Sequence, residues 1–187
     1  MDKKHIFLIG GGEISERETE AIDRAALEAR QKTGAIVFIG AAAGDSEGYF
    51  ECFKSYYSTL CDNKDFVFLK SDASSEEARK TILNASLVYL GGGDTQVLKD
   101  TLDNWNAKQI FEDAIASGTV LAGISAGAYV LVNDWFYYDN GAIETGSGYG
   151  LAPVNLECHS TEESRKSIEA QTEKDFISLK NREYYSY

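Results

Sequence analysis

Positive charge is scarce in this chain. Its 187 residues carry 18 Lys and Arg against 30 Asp and Glu, a formal net charge of -12 at pH 7. Nucleic acid and anionic membrane surfaces are held by clustered Lys and Arg, so neither is expected as a partner, and most of the excess acid reads as a solvated face. Cysteine is scarce too. Cys52, Cys61 and Cys158 are odd in number and lack C-x-x-C spacing, which points away from a disulfide framework and from a zinc site. No apolar run approaches the ~20 residues that a membrane-spanning helix requires, and no apolar leader precedes the first predicted strand. The expectation is a cytoplasmic protein. Low-complexity tracts, repeats and linkers are missing, and 43% hydrophobic content is enough to bury a core. Residues 1–187 are therefore read as one domain.

Short, wholly apolar runs alternate with longer helical patterns from the start. His5–Ile9, Ala35–Ile39, Phe66–Leu69, Leu87–Leu90 and Thr119–Ala122 have the length and the unbroken apolarity of strands buried on both faces. Between them the patterns predict helices over about 15–32, 49–60, from Ser74 with capping chemistry in Ser74-Ser75-Glu76-Glu77, and over 94–117. This order predicts an α/β fold: a doubly wound, mostly parallel sheet sandwiched by helices. After Trp135 the texture changes. Trp135 to Gly141 and Ala142 to Thr145 read as two arms of a hairpin, a glycine-rich loop follows over 146–150, and a charged helix is expected from Thr161 to about Lys174. The ending Arg182 to Tyr187 resembles the start of a strand. The aromatic stretches at 135–138 and 184–187 either cover the core or pair with a second subunit, so a homodimer is an open expectation.

Gly123-Ile124-Ser125-Ala126-Gly127-Ala128 sits between an apolar run and Tyr129-Val130-Leu131-Val132. A G-x-S-x-G run so flanked reads as strand, sharp turn and helix, the geometry that lifts a serine hydroxyl off the end of a sheet. An ordinary turn whose serine only caps the helix is the other reading of these residues. A serine hydroxyl needs a base within hydrogen-bond reach, and the chain holds only two histidines, His5 and His159. His5 falls at the amino end of the first strand, the wrong edge of the sheet. His159 follows the serine in chain order, so it is the candidate base. Cys158 beside it points to the opposite face and reads as a buried structural thiol. The amide of Ala126 and that of Gly93, in the second glycine triplet, are candidate donors to an oxyanion. Losing one such donor costs roughly 3 kcal/mol of barrier. The exits at Gly10–Gly12, Gly91–Gly93 and Gly123 all follow strands and should line one crevice. Gly10-Gly11-Gly12-Glu13-Ile14-Ser15 does not fit G-x-G-x-x-G, because Ser15 stands where the third glycine belongs, so it does not predict a nucleotide site.

Leu90-Gly91-Gly92-Gly93-Asp94-Thr95, Gly123 to Ala128, and a histidine preceded by Gly150-Leu151-Ala152-Pro153 together resemble the dipeptidase E and cyanophycinase family of serine peptidases. The resemblance implies a sandwich like that of class I glutamine amidotransferases, also called flavodoxin-like. It implies Ser125 as nucleophile, His159 as base, the Gly93 and Ala126 amides as oxyanion hole, small peptides as substrates, and no metal or organic cofactor. The family hydrolyses peptide bonds next to aspartate. Its third triad member is acidic, and Asp139, fourteen positions after Ser125, is the candidate here, with Glu144 and Glu157 as alternatives and a Ser-His dyad as a further option. The chain ends at Tyr187, before the closing strands the resemblance leads one to expect. An aspartyl pocket calls for a cation, yet no Arg lies between Arg79 and Arg165. The competing expectation is an amidotransferase-like binding or regulatory module that keeps the turn only as architecture.

Overall fold

The computed structural model describes residues 5–139 and 141–187. Asn140, in the expected hairpin turn, lies outside them. The first five strands are β1 (Ile6–Ile9), β2 (Ala35–Ile39), β3 (Phe66–Leu69), β4 (Ala85–Leu90) and β5 (Val120–Ile124). A late strand, β10 (Tyr184–Ser186), joins them in a six-stranded sheet of order β10-β1-β5-β4-β2-β3. All neighbours are parallel except β10, which runs antiparallel to β1.

Alternation along each strand feeds two cores, since successive side chains leave opposite faces. Phe7, Ile9, Ile36, Phe38, Leu87 and Tyr89 meet Ile22 and Leu27 of α1 (Glu20–Ala29) and Phe50, Phe53 and Tyr57 of α2 (Glu47–Leu60). Leu8, Val37, Ile39, Val88, Leu90 and Leu121 face the other way. They meet Ile82 of α3 (Ser75–Leu83), Leu98 and Leu102 of α4 (Thr95–Asn104) and Phe111 of α5 (Ala107–Ala116). This double burial is why the strands are apolar throughout. Ser46, Ser74 and Asp94 accept backbone N–H groups at the starts of α2, α3 and α4, each worth about 1 kcal/mol.

The helices expected over 15–32 and 94–117 are shortened and divided respectively. The segment after β1 first makes a single 3-10 turn over Ile14–Glu16, and Arg17, at φ 57°, breaks it before α1. Asn106, also at φ 57°, separates α4 from α5. Asn and Arg in this left-handed region stop a helix as glycine would.

The hairpin expected after Trp135 is present as β6 (Asp134–Asp139) and β7 (Ala142–Ser147). Parallel to β6 lies β8 (Leu156–Glu157), and parallel to β8 lies β9 (Ile177–Ser178). These four make a second sheet of order β7-β6-β8-β9 beside the first. The charged helix between β8 and β9, α7 (Glu162–Glu169), is about half the expected length and opens with a capping box at Thr161 and Ser164. The C-terminal residues do form a strand, as their pattern suggested. It occupies the edge beyond β1, with Tyr184 stacked on Phe7 at 5.9 Å. No described helix is long and apolar enough to cross a membrane.

Candidate active site

In sheet order β1, β5 and β4 are adjacent, so the three glycine exits do converge at one end of the sheet, with the serine turn in the middle. Ser125 follows β5 directly and precedes α6 (Ala126–Tyr129). Its backbone sits at φ 52°, ψ -114°, a region that costs a residue with a Cβ on the order of 1–3 kcal/mol and persists only where the surroundings enforce it. Here they do. The Ser125 N–H donates to Ile9 O at 3.0 Å, and Ser125 O accepts from Ala128 N and Tyr129 N at 2.9 and 3.0 Å. A Cβ on Gly123 would lie 2.2 Å from Gly127 O, and one on Gly127 2.1 Å from Leu90 O. Both glycines of G-x-S-x-G are thus set by backbone-to-backbone approach.

His159 arrives from the second sheet. The segment after β8 is held on both sides, by His159 N to Gly10 O at 2.9 Å and by Ser160 N to Leu179 O at 3.0 Å. His159 itself is at φ 55°, which turns its ring out while Cys158 goes in, 2% exposed, its thiol pushed up by burial. The ring reaches Ser125: Nε2 is 2.8 Å from Oγ. Its other nitrogen, Nδ1, is 2.8 Å from Oδ1 of Asn181. An amide oxygen can only accept, so Nδ1 carries the proton and Nε2 is free to accept from the serine hydroxyl.

Asn181 was not among the candidates. It lies in the turn between β9 and β10, fastened to the β1 exit by Arg182 N to Gly11 O at 2.9 Å and Gly10 N to Glu183 O at 3.0 Å. A Cβ on Gly11 would fall 2.2 Å from Asn181 Oδ1 and 2.5 Å from His159 Cε1. The first glycine triplet therefore makes room for the imidazole–amide pair. Asp139, at the end of β6, is not among the residues lining the two cavities beside Ser125, and the place expected for it at Nδ1 is filled by Asn181. Glu157 is buried and accepts from the hydroxyls of Ser164 and Ser178, a structural commitment. Glu144 does reach the site, as a wall of one cavity. His5 pairs with Gln31 at the opposite end of β1.

Gly93 and Ala126 flank the serine. Among the described residues neither amide has a hydrogen-bond partner, so both are free to serve an incoming oxygen. Gly93 sits at φ 138°, where a Cβ would lie 2.2 Å from Ala42 O. The helix behind Ala126 is a single turn, so the donor is the amide itself, with little help from a helix dipole. The neighbouring Gly92 N–H donates to the Tyr49 hydroxyl at 3.5 Å, whose titration burial pushes up to about 12. Two cavities of about 520 and 490 Å³ open on either side of Ser125, and Gly93 and His159 border both. Glu13, Glu18, Tyr49 and Cys52 wall the first. Glu18 is held by Arg182, which keeps its carboxyl below the usual range, with help from the Glu13 backbone N–H. No group of three or more His, Cys, Asp or Glu among the described residues could hold a metal.

The sequence matches Peptidase family S51 over residues 6–183. The chain belongs to this family. It is 32% identical over 127 residues to the "Uncharacterized peptidase YgaJ" of Bacillus subtilis (strain 168), an alignment that spans 67% of this chain and 55% of that relative. A solved peptidase from an acI-B1 Actinobacterium superposes with a TM-score of 0.65 at 26% identity, over 94% of this chain and 80% of that one. A Listeria monocytogenes EGD-e protein, 17% identical, has the same fold, with a TM-score of 0.70 over 98% of this chain and 94% of the other. Within this S51 chain, the resemblance seen in the two glycine-rich blocks thus extends through the Asn181 turn.

Proposed function

We propose that this chain is a serine peptidase of small peptides working through an acyl-enzyme. The observation that carries the reading is the run Ser125 Oγ, His159 Nε2, His159 Nδ1, Asn181 Oδ1, with 2.8 Å at each contact. The Ser125 hydroxyl attacks the scissile carbonyl carbon as His159 Nε2 takes its proton. The oxygen of the tetrahedral intermediate gains a negative charge that the Gly93 and Ala126 amides stabilise. His159 then gives the proton to the departing amine, the acyl group stays on Ser125, and a water deprotonated by His159 releases it. Asn181 keeps the ring in the tautomer and plane that both steps need. Asp139 takes no part in this scheme.

Three free thiols among the described residues suit a reducing compartment, and a cytoplasmic enzyme is part of the proposal. A homodimer paired through the open edge of β10 or β7 is also part of the proposal, and sedimentation at twice the monomer mass is the expected outcome.

A fluorophosphonate is expected to label Ser125 covalently, with no labelling in Ser125→Ala and a loss of at least about 100-fold in labelling rate in His159→Ala. Folded wild-type protein that stays unlabelled would leave the binding-module reading in its place.

A further inference from the structure

We propose that the cavity walled by the β6–β7 hairpin is a subsite for a positively charged side chain, Lys or Arg, of the peptide, next to the bond that Ser125 attacks. The proposal rests on the serine peptidase reading and names its substrate class. In the hairpin register Tyr137 pairs with Glu144 and Trp135 with Gly146. Directly paired residues, and residues two apart on a strand, share a face. Trp135, Tyr137 and Glu144 therefore stand together on one face, and that face borders the cavity that also holds Ser125 and His159.

The aromatic part of this wall is fixed in place. A Cβ on Gly146 would lie 2.5 Å from Trp135 Cζ2, so the indole crosses the strand where a side chain is missing. Tyr129 stacks on it with centroids 5.1 Å apart at 23°. Tyr137, 37% exposed, extends the aromatic surface. Aromatic faces attract ammonium and guanidinium groups, and here the two rings have a carboxylate on the same face. Glu144 makes no ion pair among the described residues. Asp94, which lines the same cavity, accepts from the Gln96 and Val97 amides and adds negative charge.

Neither cavity has a Lys or Arg in its lining. Arg182, beside Asn181, is engaged with Glu18. A substrate carboxylate would thus enter either cavity against like charge with no cationic partner in the lining, whereas a basic side chain finds two rings and an unpaired acid. The cavity's size, about 490 Å³, admits either Lys or Arg.

The test uses wild-type protein whose Ser125 has first been shown to react with a fluorophosphonate. Matched peptide amides carry Lys, Arg, Ala or Asp on one side of the scissile bond, then on the other. On one of the two sides, kcat/KM for Lys or Arg should exceed that for Ala by about tenfold or more, with Asp below Ala. Added NaCl should shrink this advantage. Glu144→Gln and Tyr137→Ala alter exposed positions, and each should lower the Lys-to-Ala ratio by at least about threefold, while Tyr137→Phe keeps it. Unchanged thermal unfolding verifies that the variants are intact. Labelled enzyme that cleaves Ala or Asp peptides as well as Lys peptides, or a ratio that ignores Glu144→Gln, overturns the subsite alone. Absence of labelling in the wild type overturns the peptidase reading first, and this proposal with it.

Discussion

At the scale of single residues, the site turns on a neutral amide where the family resemblance implies an acid. Asn181 can fix the tautomer of His159 as an acid would, but it offers no full charge to the imidazolium that forms during attack. Its contribution is therefore orientation. Asn181→Ala should slow fluorophosphonate labelling of Ser125 by about 10- to 100-fold, the range met when the partner that orients a functional imidazole is deleted. Asn181→Asp, which restores an acceptor at Nδ1, should recover most of the rate. Equal labelling by Asn181→Ala and wild type, at equal thermal stability, would remove Asn181 from the mechanism. Ser125 and His159 were legible in the sequence for simple reasons: the serine lies between two glycines that close backbone contacts demand, and only one other histidine competes. Asn181 was not legible. It comes to His159 because β10 pairs antiparallel with β1 and draws the preceding turn over Gly10 and Gly11, and nothing in the spacing of 22 residues announces that pairing.

Among the elements, α1 and α2 are joined by a buried acid. Asp23, 0% exposed, accepts from Thr19 Oγ1 at 2.7 Å and from the hydroxyls of Tyr56 and Tyr57 at 2.9 and 2.7 Å. Burial raises its carboxyl above the ordinary value, and the three hydrogen bonds offset only part of that. The folded protein thus favours the neutral acid. That stabilisation is whole below the unfolded value of about 3.9 and is lost as pH rises through the folded one. Asp23→Asn cannot ionise, so between pH 4 and pH 7 wild type should lose stability relative to this variant, by on the order of 1 kcal/mol for each unit by which the folded value is raised. Denaturant unfolding at the two pH values measures it; a difference that stays flat, or grows in favour of wild type, refutes the account. The elements themselves were largely legible, because strands buried on both faces are apolar without interruption and Ser74 and Asp94 announce helix starts. Arg17 and Asn106 break helices through backbone angles that their side chains do not advertise. The second sheet is not legible in the sequence because β8 and β9 are two residues each, too short for any periodicity to register.

Considered whole, the molecule assembles its site where two sheets meet: Ser125 comes from the main sheet, His159 from the end of β8, and Asn181 from the turn that carries the chain back to the first sheet. The molecule as a whole carries a strong excess of one charge. With 30 acidic and 18 basic residues, folding brings carboxylates closer together than the open chain does, and the mean field opposes compaction. Each ion pair among the described residues has at least one exposed partner, and exposed pairs contribute about 0–1 kcal/mol each. Salt weakens both the attraction and the repulsion. Neighbours in contact are screened least, whereas the unpaired acids act over distances near or beyond the Debye length of about 8–10 Å at ordinary ionic strength. Repulsion is therefore the larger loss. Raising NaCl from about 0.02 to 0.3 M, across which the Debye length shrinks several-fold, should stabilise the protein by on the order of 1 kcal/mol, seen as a rise of about 2–4 °C in Tm for a chain of this size. A Tm that falls over the same range would mean that the surface ion pairs outweigh the repulsion among the unpaired acids.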